Sequence, residues 1–339
     1  MQAPVTGRLT EMRLLKRSIM ANSLELQFWG YEIGNLFAAV AGSGGFASFF
    51  AEVNAVVLNP NLDPIGKALT LARDHPDAFV TIALGIVVLL APPMKNLVSL
   101  AGRLALINLF DAATLIAAVL ILTFTLNADT SWLTDAAASF VVGSSLLRQS
   151  KRNPFLMKPG SLALSLGGIA LAAFGVVEVS VDLETSDEIG LALSAIAIAT
   201  GVYVLAAGLL TYQGGVFETA RFLAASKGGT VEKDCAARLL NPHDGILPRL
   251  FETLLDRPVV WFCDRVVKPA IFWVSAHTKR ERPFVTSMWA RLPWRLFSGG
   301  LAFATATPQG MVFGLANICW AVGDVAIGSL DWTKDQETR

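Results

Sequence analysis

An all-α, polytopic membrane bundle of about eight transmembrane helices (seven or eight) is the architecture this sequence predicts, and three observations predict it. Charged residues are only 16% of the 339 positions, hydrophobic residues are 53%, and the mean hydropathy is +0.54. A soluble domain carries roughly 25% charged residues, so this chain is too poor in charge to coat a water-facing surface. Nearly uncharged stretches recur near the length of about 20 residues that crosses a hydrocarbon core of about 30 Å. Lys and Arg are also segregated among the connections, as membrane orientation demands.

The elements follow in order. Residues 1–23 are polar and basic and form a cytoplasmic N-terminal segment. Residues 24–212 form a transmembrane bundle of about six spans. The first (26–53) is broken at Gly42-Ser43-Gly44-Gly45, the second (78–91) ends at Pro92-Pro93, and the third covers 104–126. The fourth (132–147) is short and carries Asp135; the fifth and sixth cover 161–179 and 189–212. Residues 213–295 are the one long polar region, with thirteen Lys or Arg against eight Asp or Glu. Residues 296–330 are too long for one ordinary span, and Pro308-Gln309-Gly310 near the middle predicts a hairpin. One span plus a re-entrant arm is the other arrangement that length allows. Residues 331–339 are a cytoplasmic tail.

Orientation follows from the connections. The link after the fourth span holds Arg148, Lys151, Arg152 and Lys158 without an acid. The link after the fifth holds Asp182, Glu184, Asp187 and Glu188 without a base. Eight spans starting from a cytoplasmic N-terminus place every net-basic link, including 213–295, on the cytoplasmic side of a cell (inner) membrane. The first apolar run begins only after Leu24, with no short hydrophobic core and A-x-A site, so no cleavable signal peptide is expected.

Several chemistries lack their residues. The three histidines (His75, His243, His277) fall in segments read as loops, and Cys235, Cys263 and Cys319 form no CxxC pair, so no metal site and no cofactor is expected. A formal charge of zero gives no field for nucleic acid. No GxxxxGK[ST], HExxH, GxSxG or GxGxxG is present, and no catalytic residue is assigned.

Polar groups inside apolar segments are the candidate sites, because a charge in hydrocarbon costs a few kcal/mol and normally faces a partner. Asn108, Asp111 and Thr114 recur at spacing three on one face of the third span, and Glu32 and Asn35 share a face of the first. These five are the expected substrate or ion positions; an interhelical polar clamp is the structural use of the same residues. Gly30 and Gly34, with the stripe Gly314, Asn317, Ala321 and Asp324, are expected to pack helices closely. Asp324 is expected to be a solvated carboxylate near the inner end of its span. In 213–295, stretches at 215–226 and 247–277 look helical, the second divided by Pro258 and Pro269. Its aromatic residues with a basic rim suit the headgroup layer, so the lipid bilayer and anionic headgroups are expected partners. A faint echo links Lys151-Arg152-Asn153-Pro154 to Arg291-Leu292-Pro293-Trp294, each six residues ahead of a small-residue helix start. Duplication of a two-helix unit produces such an echo, and so does shared membrane-entry chemistry. The functional expectation is a carrier or channel-like protein for a small solute or ion centred on Asp111 and Asn108. Its alternative is a non-catalytic subunit or scaffold with protein partners in a membrane complex.

Overall fold

The computed structural model describes residues 30–90, 105–150, 154–226, 250–277 and 288–337, and no strand occurs among them. The helices are α1 (Gly30–Gly42), α2 (Phe46–Val57), α3 (Pro64–Asp74), α4 (Pro76–Leu90), α5 (Ala105–Asn127) and α6 (Trp132–Ser150). After a 3-10 turn at Pro154–Leu156 come α7 (Met157–Thr185) and α8 (Glu188–Ser226). One helical rod, α9, covers 250–277, and the final pair is α10 (Met288–Ala304) and α11 (Pro308–Glu337). The stretch 215–226, expected as a separate loop helix, is the continuation of α8.

Local chemistry explains the breaks. Gly44 and Gly45 have φ of 82° and 104°, backbone that side chains with a Cβ rarely adopt, and the chain bends by 74° between α1 and α2. Asp63 caps α3 by accepting from Gly66 N at 2.7 Å, ahead of Pro64 at the first helical position. Asp187 caps α8 through the N–H groups of Ile189 and Gly190, both at 3.1 Å. Thr307 Oγ1 accepts from Gly310 N at 3.0 Å and starts α11 directly before Pro308. The turn expected in the last apolar stretch is therefore at 305–307.

Neighbouring helices run antiparallel. In α7 and α8, Gly168 faces Gly201 and Leu205, Gly175 faces Ser194, and Ser165 faces Gly208. A methyl group added at Gly168 would stand 2.5 Å from the Leu205 backbone nitrogen, so these two backbones are nearly in contact. α6 packs on α7 through Gly143 against Gly160 and Gly167 against Phe140. α4 meets α5 through Phe79 and Phe124, whose rings are 5.2 Å apart. α1 lies along α11, with Gly30 on Gly323, Gly34 on Trp320 and Gly45 on Pro308. We call the end that holds Gly30 the proximal end and the end that holds Gly45 the distal end.

The core between these helices is small and apolar: Ala38, Ala39, Ala41, Leu84, Leu133, Ala137, Val141, Leu171, Phe313 and Ala316 are buried together. Small residues keep helix axes close and Leu, Val and Phe fill the seams. Outward, Ile86, Ile116, Leu120, Leu126, Ile169, Val176, Val177 and Val202 are exposed. Among the described residues α7 and α8 are each long and apolar enough to cross a membrane, and the bent pair α1–α2 is a third such segment if it forms one span. These two or three helices make the chain compatible with a membrane protein.

Candidate functional site

The sequence-predicted residues separate in the structure. Asn108 and Asp111 lie on the backbone of α5, but their side chains are outside those described; Thr114 is half-buried. Glu32 is 2% exposed and accepts a 2.5 Å hydrogen bond from Ser144 Oγ of α6. Asn35, one turn away, accepts from Trp320 Nε1 of α11 at 3.0 Å. Spacing three does not bring Glu32 and Asn35 to one partner, because they meet different neighbouring helices.

The stripe on α11 is likewise divided. Gly314 lies against Phe303 of α10, and Asn317 accepts from Ser298 Oγ of α10 at 2.8 Å. Ala321 is buried. α1 is met by Ala316, Trp320 and Gly323 instead, one position off the stripe. Asp324 sits where the two contacts converge and is 1% exposed. The expectation of a solvated carboxylate is thus corrected: α1 and α10 close over it from two sides.

Around Asp324 the proximal end of the bundle assembles a charged cluster. Tyr31 donates to Asp324 Oδ1 at 2.5 Å. Arg291 Nε is 3.5 Å from Oδ1, and Arg295 Nε, one turn on along α10, is 3.7 Å from Oδ2. Arg291 also shares a hydrogen bond with Tyr203 of α8. The Arg295 guanidinium lies 4.7 Å from the centre of the Trp320 ring, within the range of a cation–π contact. Trp320 is held by Asn35 and by edge-on contacts with Phe140 and Phe313. Four helices, α1, α8, α10 and α11, therefore supply one site. Beside it, Trp294 Nε1 donates to Thr200 Oγ1 of α8 at 2.8 Å and pins α10 to α8.

A second cluster docks α9 across the proximal ends of α7 and α8. Asp256 is buried and receives Lys158 Nζ at 2.6 Å and Tyr212 OH at 2.5 Å. Asp264 receives Lys268 Nζ at 2.6 Å and Gln213 Nε2 at 2.9 Å; these bonds hold its carboxyl below the ordinary aspartate range. The buried Cys263 sits between them, its thiol pushed up by burial. Pro258 and Pro269 do not divide α9 as expected. Each removes an N–H that an α-helix would use, and a π-turn one residue earlier absorbs the defect: Arg257 N–H bonds to Glu252 O and Lys268 N–H to Cys263 O. Opposite the docked face, Leu250, Phe251, Leu254, Trp261, Phe262, Val266 and Trp273 are exposed. Of Lys279, Arg280, Arg282, Arg291 and Arg295, expected to extend the basic rim of this region to the last hairpin, the first three lie outside the described residues and the last two turn to Asp324 instead.

The chain has three tyrosines, and each serves a charged group: Tyr31 and Tyr203 in the first cluster, Tyr212 in the second. Sequence reasoning passed over Tyr31, Tyr203 and Trp320, and it read Arg291 and Arg295 only as part of the basic strip of the 213–295 region, whereas both face Asp324. The available signal was the pair Arg291 and Arg295, four residues apart and entering a helix that faces a second helix whose apolar stretch, 308–330, holds one acid, Asp324. An open groove of about 610 Å³ between α4 and α5 is lined by Phe79, Ala83, Val87, Leu120, Ile121 and Phe124. Its wall is almost wholly apolar; its polar side chains, Thr123 and Asn127, donate to the backbone of their own helix. Among the described residues no set of His, Cys, Asp and Glu is placed to hold a metal ion. No protein-family model, curated protein or solved structure matches this chain.

Proposed function

We propose that the chain is a multi-pass membrane carrier for a small polar solute, with its binding centre at the Asp324 cluster. One observation carries the reading: two arginines of α10 and one aspartate of α11, largely withdrawn from water, are gathered with tyrosines of α1 and α8 at one end of the bundle. Charges in such surroundings mark substrate or ion paths more often than they mark plain stability. The helix break at Ser43-Gly44-Gly45 supports it further, because an interrupted helix packed against the α10–α11 turn at Pro308 gives a segment that can rock. Asp111 and Asn108 remain a proposed second polar station on α5.

The spanning set proposed is α1, α4, α5, α6, α7, α8, α10 and α11. Their alternating directions support eight crossings, with α2 and α3 at the distal surface and α9 at the proximal one. The link around Lys151 and the region 213–295 then share the cytoplasmic face. Single cysteines placed at Arg152 and Arg257 are expected to react with a membrane-impermeant maleimide from the same side, and one at Glu184 from the other. Opposite labelling of 152 and 257 sinks this topology.

The carrier reading is tested by flux. Purified protein in proteoliposomes is expected to exchange a labelled small solute, drawn from a panel of carboxylates, phosphate and inorganic cations. Arg295→Gln is expected to lower that rate about tenfold or more while inserting normally. Flux that no member of the panel supports, or that is unchanged by Arg295→Gln, counts against it. A scaffold is the second reading, favoured by the exposed apolar ridge of α9. It requires a detergent particle much heavier than the 36.2 kDa chain, whereas the carrier reading requires only this chain and its own copies.

A further inference from the structure

Among the described residues the Asp324 cluster has more donors than acceptors. Two guanidiniums carry ten N–H donors between them, and they bear two positive charges against one carboxylate. Among the described residues the charged and phenolic groups that act on Arg295 are Asp324, Arg291, Tyr31 and Tyr203, so two guanidiniums face one carboxylate there. Arg295 is only 13% exposed, yet its contacts among the described residues are the 3.7 Å ion pair and the Trp320 ring face. Arg291 is 22% exposed and its Nε has no hydrogen-bond partner among the described residues. Asp324 Oδ2 is also buried without one there. A structural Arg–Asp pair is normally bidentate, with both carboxylate oxygens satisfied. Here both arginines approach Asp324 through Nε at ion-pair range; Arg291 spends a terminal nitrogen on Tyr203, and, among the described residues, Arg295 keeps its NH₂ groups for another acceptor. Buried guanidiniums short of acceptors are costly, and a second anion is the group that removes that cost.

We infer that the Arg291–Arg295 pair, backed by Trp320 and Tyr203, is a binding site for an oxyanion, a carboxylate or phosphate group, with Asp324 as the intramolecular competitor that keeps its affinity moderate. The inference rests on the carrier reading for its source, a free anionic solute. An anionic lipid headgroup carries the same chemistry and can reach the same end of the bundle. The Arg295 guanidinium lies 4.7 Å from the Trp320 ring centre, and a guanidinium fork suits a planar or tetrahedral oxyanion over a spherical ion.

The test uses the full chain in neutral detergent, with thermal unfolding followed against sodium phosphate and sodium acetate at ionic strength held constant with sodium chloride. A saturable rise in melting temperature is expected for the wild type. Arg295→Gln is expected to weaken the response about tenfold or more. Arg295→Lys, which keeps the charge and loses the fork, serves as the second variant if Arg295→Gln does not fold and is expected to retain only part of the response. Asp324→Asn is expected to bind the same probes more tightly, about threefold or more, because the competing charge is gone. A purely structural ion cluster predicts the reverse, a weakened protein that no anion rescues. The inference is overturned if neither the wild type nor Asp324→Asn responds to phosphate or acetate above chloride and phosphatidylglycerol nanodiscs add no stability over phosphatidylcholine ones. A response that Arg295→Gln and Arg295→Lys leave undiminished overturns it equally. Stabilisation by phosphatidylglycerol alone keeps the oxyanion site and overturns its assignment to a transported solute. Binding of phosphate or acetate without flux keeps the site and defeats the carrier reading alone.

Discussion

Replacing Asp324 by alanine is expected to cost more stability than any other single truncation among the described side chains, about 3–5 kcal/mol. The carboxylate is 1% exposed and stands between two arginines, so its removal leaves two guanidiniums in a place from which water is largely excluded. Three contacts across helices vanish together: Tyr31 of α1 loses its acceptor, and Arg291 and Arg295 of α10 lose their counter-ion. The loss is a charge imbalance more than a missing contact, and that distinction is measurable. Arg295→Met combined with Asp324→Leu removes one charge of each sign, so the double variant is expected to be more stable than the sum of its single effects predicts. Thermal or denaturant unfolding in detergent, followed by tryptophan fluorescence, reads both numbers. Additive costs would show that the three groups do not act as a unit and would remove the basis for a shared site.

Gly168→Leu is expected to separate α7 from α8 at a cost near the upper end of overpacking effects, about 3 kcal/mol. A Cβ at this position meets the Leu205 nitrogen at 2.5 Å and the Gly201 oxygen at 2.7 Å. Both are backbone atoms of the opposing helix and cannot rotate away as a side chain does. The change also propagates, because Tyr203 and Thr200, which hold α10, lie on the same stretch of α8. Gly300→Leu provides the comparison. Nothing lies within 4 Å of its added Cβ, so its effect is expected to stay within about 0.5 kcal/mol. Equal destabilisation by the two substitutions would mean that backbone contact is not what binds α7 to α8.

Much of the architecture is readable from residues alone, and the physical reason is that apolar length and punctuation are local. Gly44 and Gly45 announce a break because only glycine occupies those backbone angles cheaply, and the chain bends there. Thr307-Pro308 announces a helix start, and the final stretch turns immediately before it. The prolines of α9 were misleading for the opposite reason. A proline states that one N–H is missing, and not whether the helix will end or widen by one residue; here it widens, and Asp256 of the first π-turn meets Tyr212 and Lys158.

The candidate site was legible only in fragments. That Asp324 and Glu32 are charges in apolar surroundings is a matter of counting along the chain, and it holds whatever the fold. Which partner each finds is a matter of distance between residues 293 positions apart for Tyr31 and Asp324, and 112 apart for Glu32 and Ser144. Periodicity assigns a residue to a face of its own helix and carries no information on which helix that face will meet. Composition and punctuation thus predict an apolar helical chain, and the described residues are helical with two or three helices long and apolar enough to cross a membrane. The gathering of Arg291, Arg295, Tyr31 and Tyr203 around one carboxylate was decided by the antiparallel packing of α1, α8, α10 and α11. Close backbone approach at glycines sets that packing, and approach distances are a property of pairs of helices, not of any single segment.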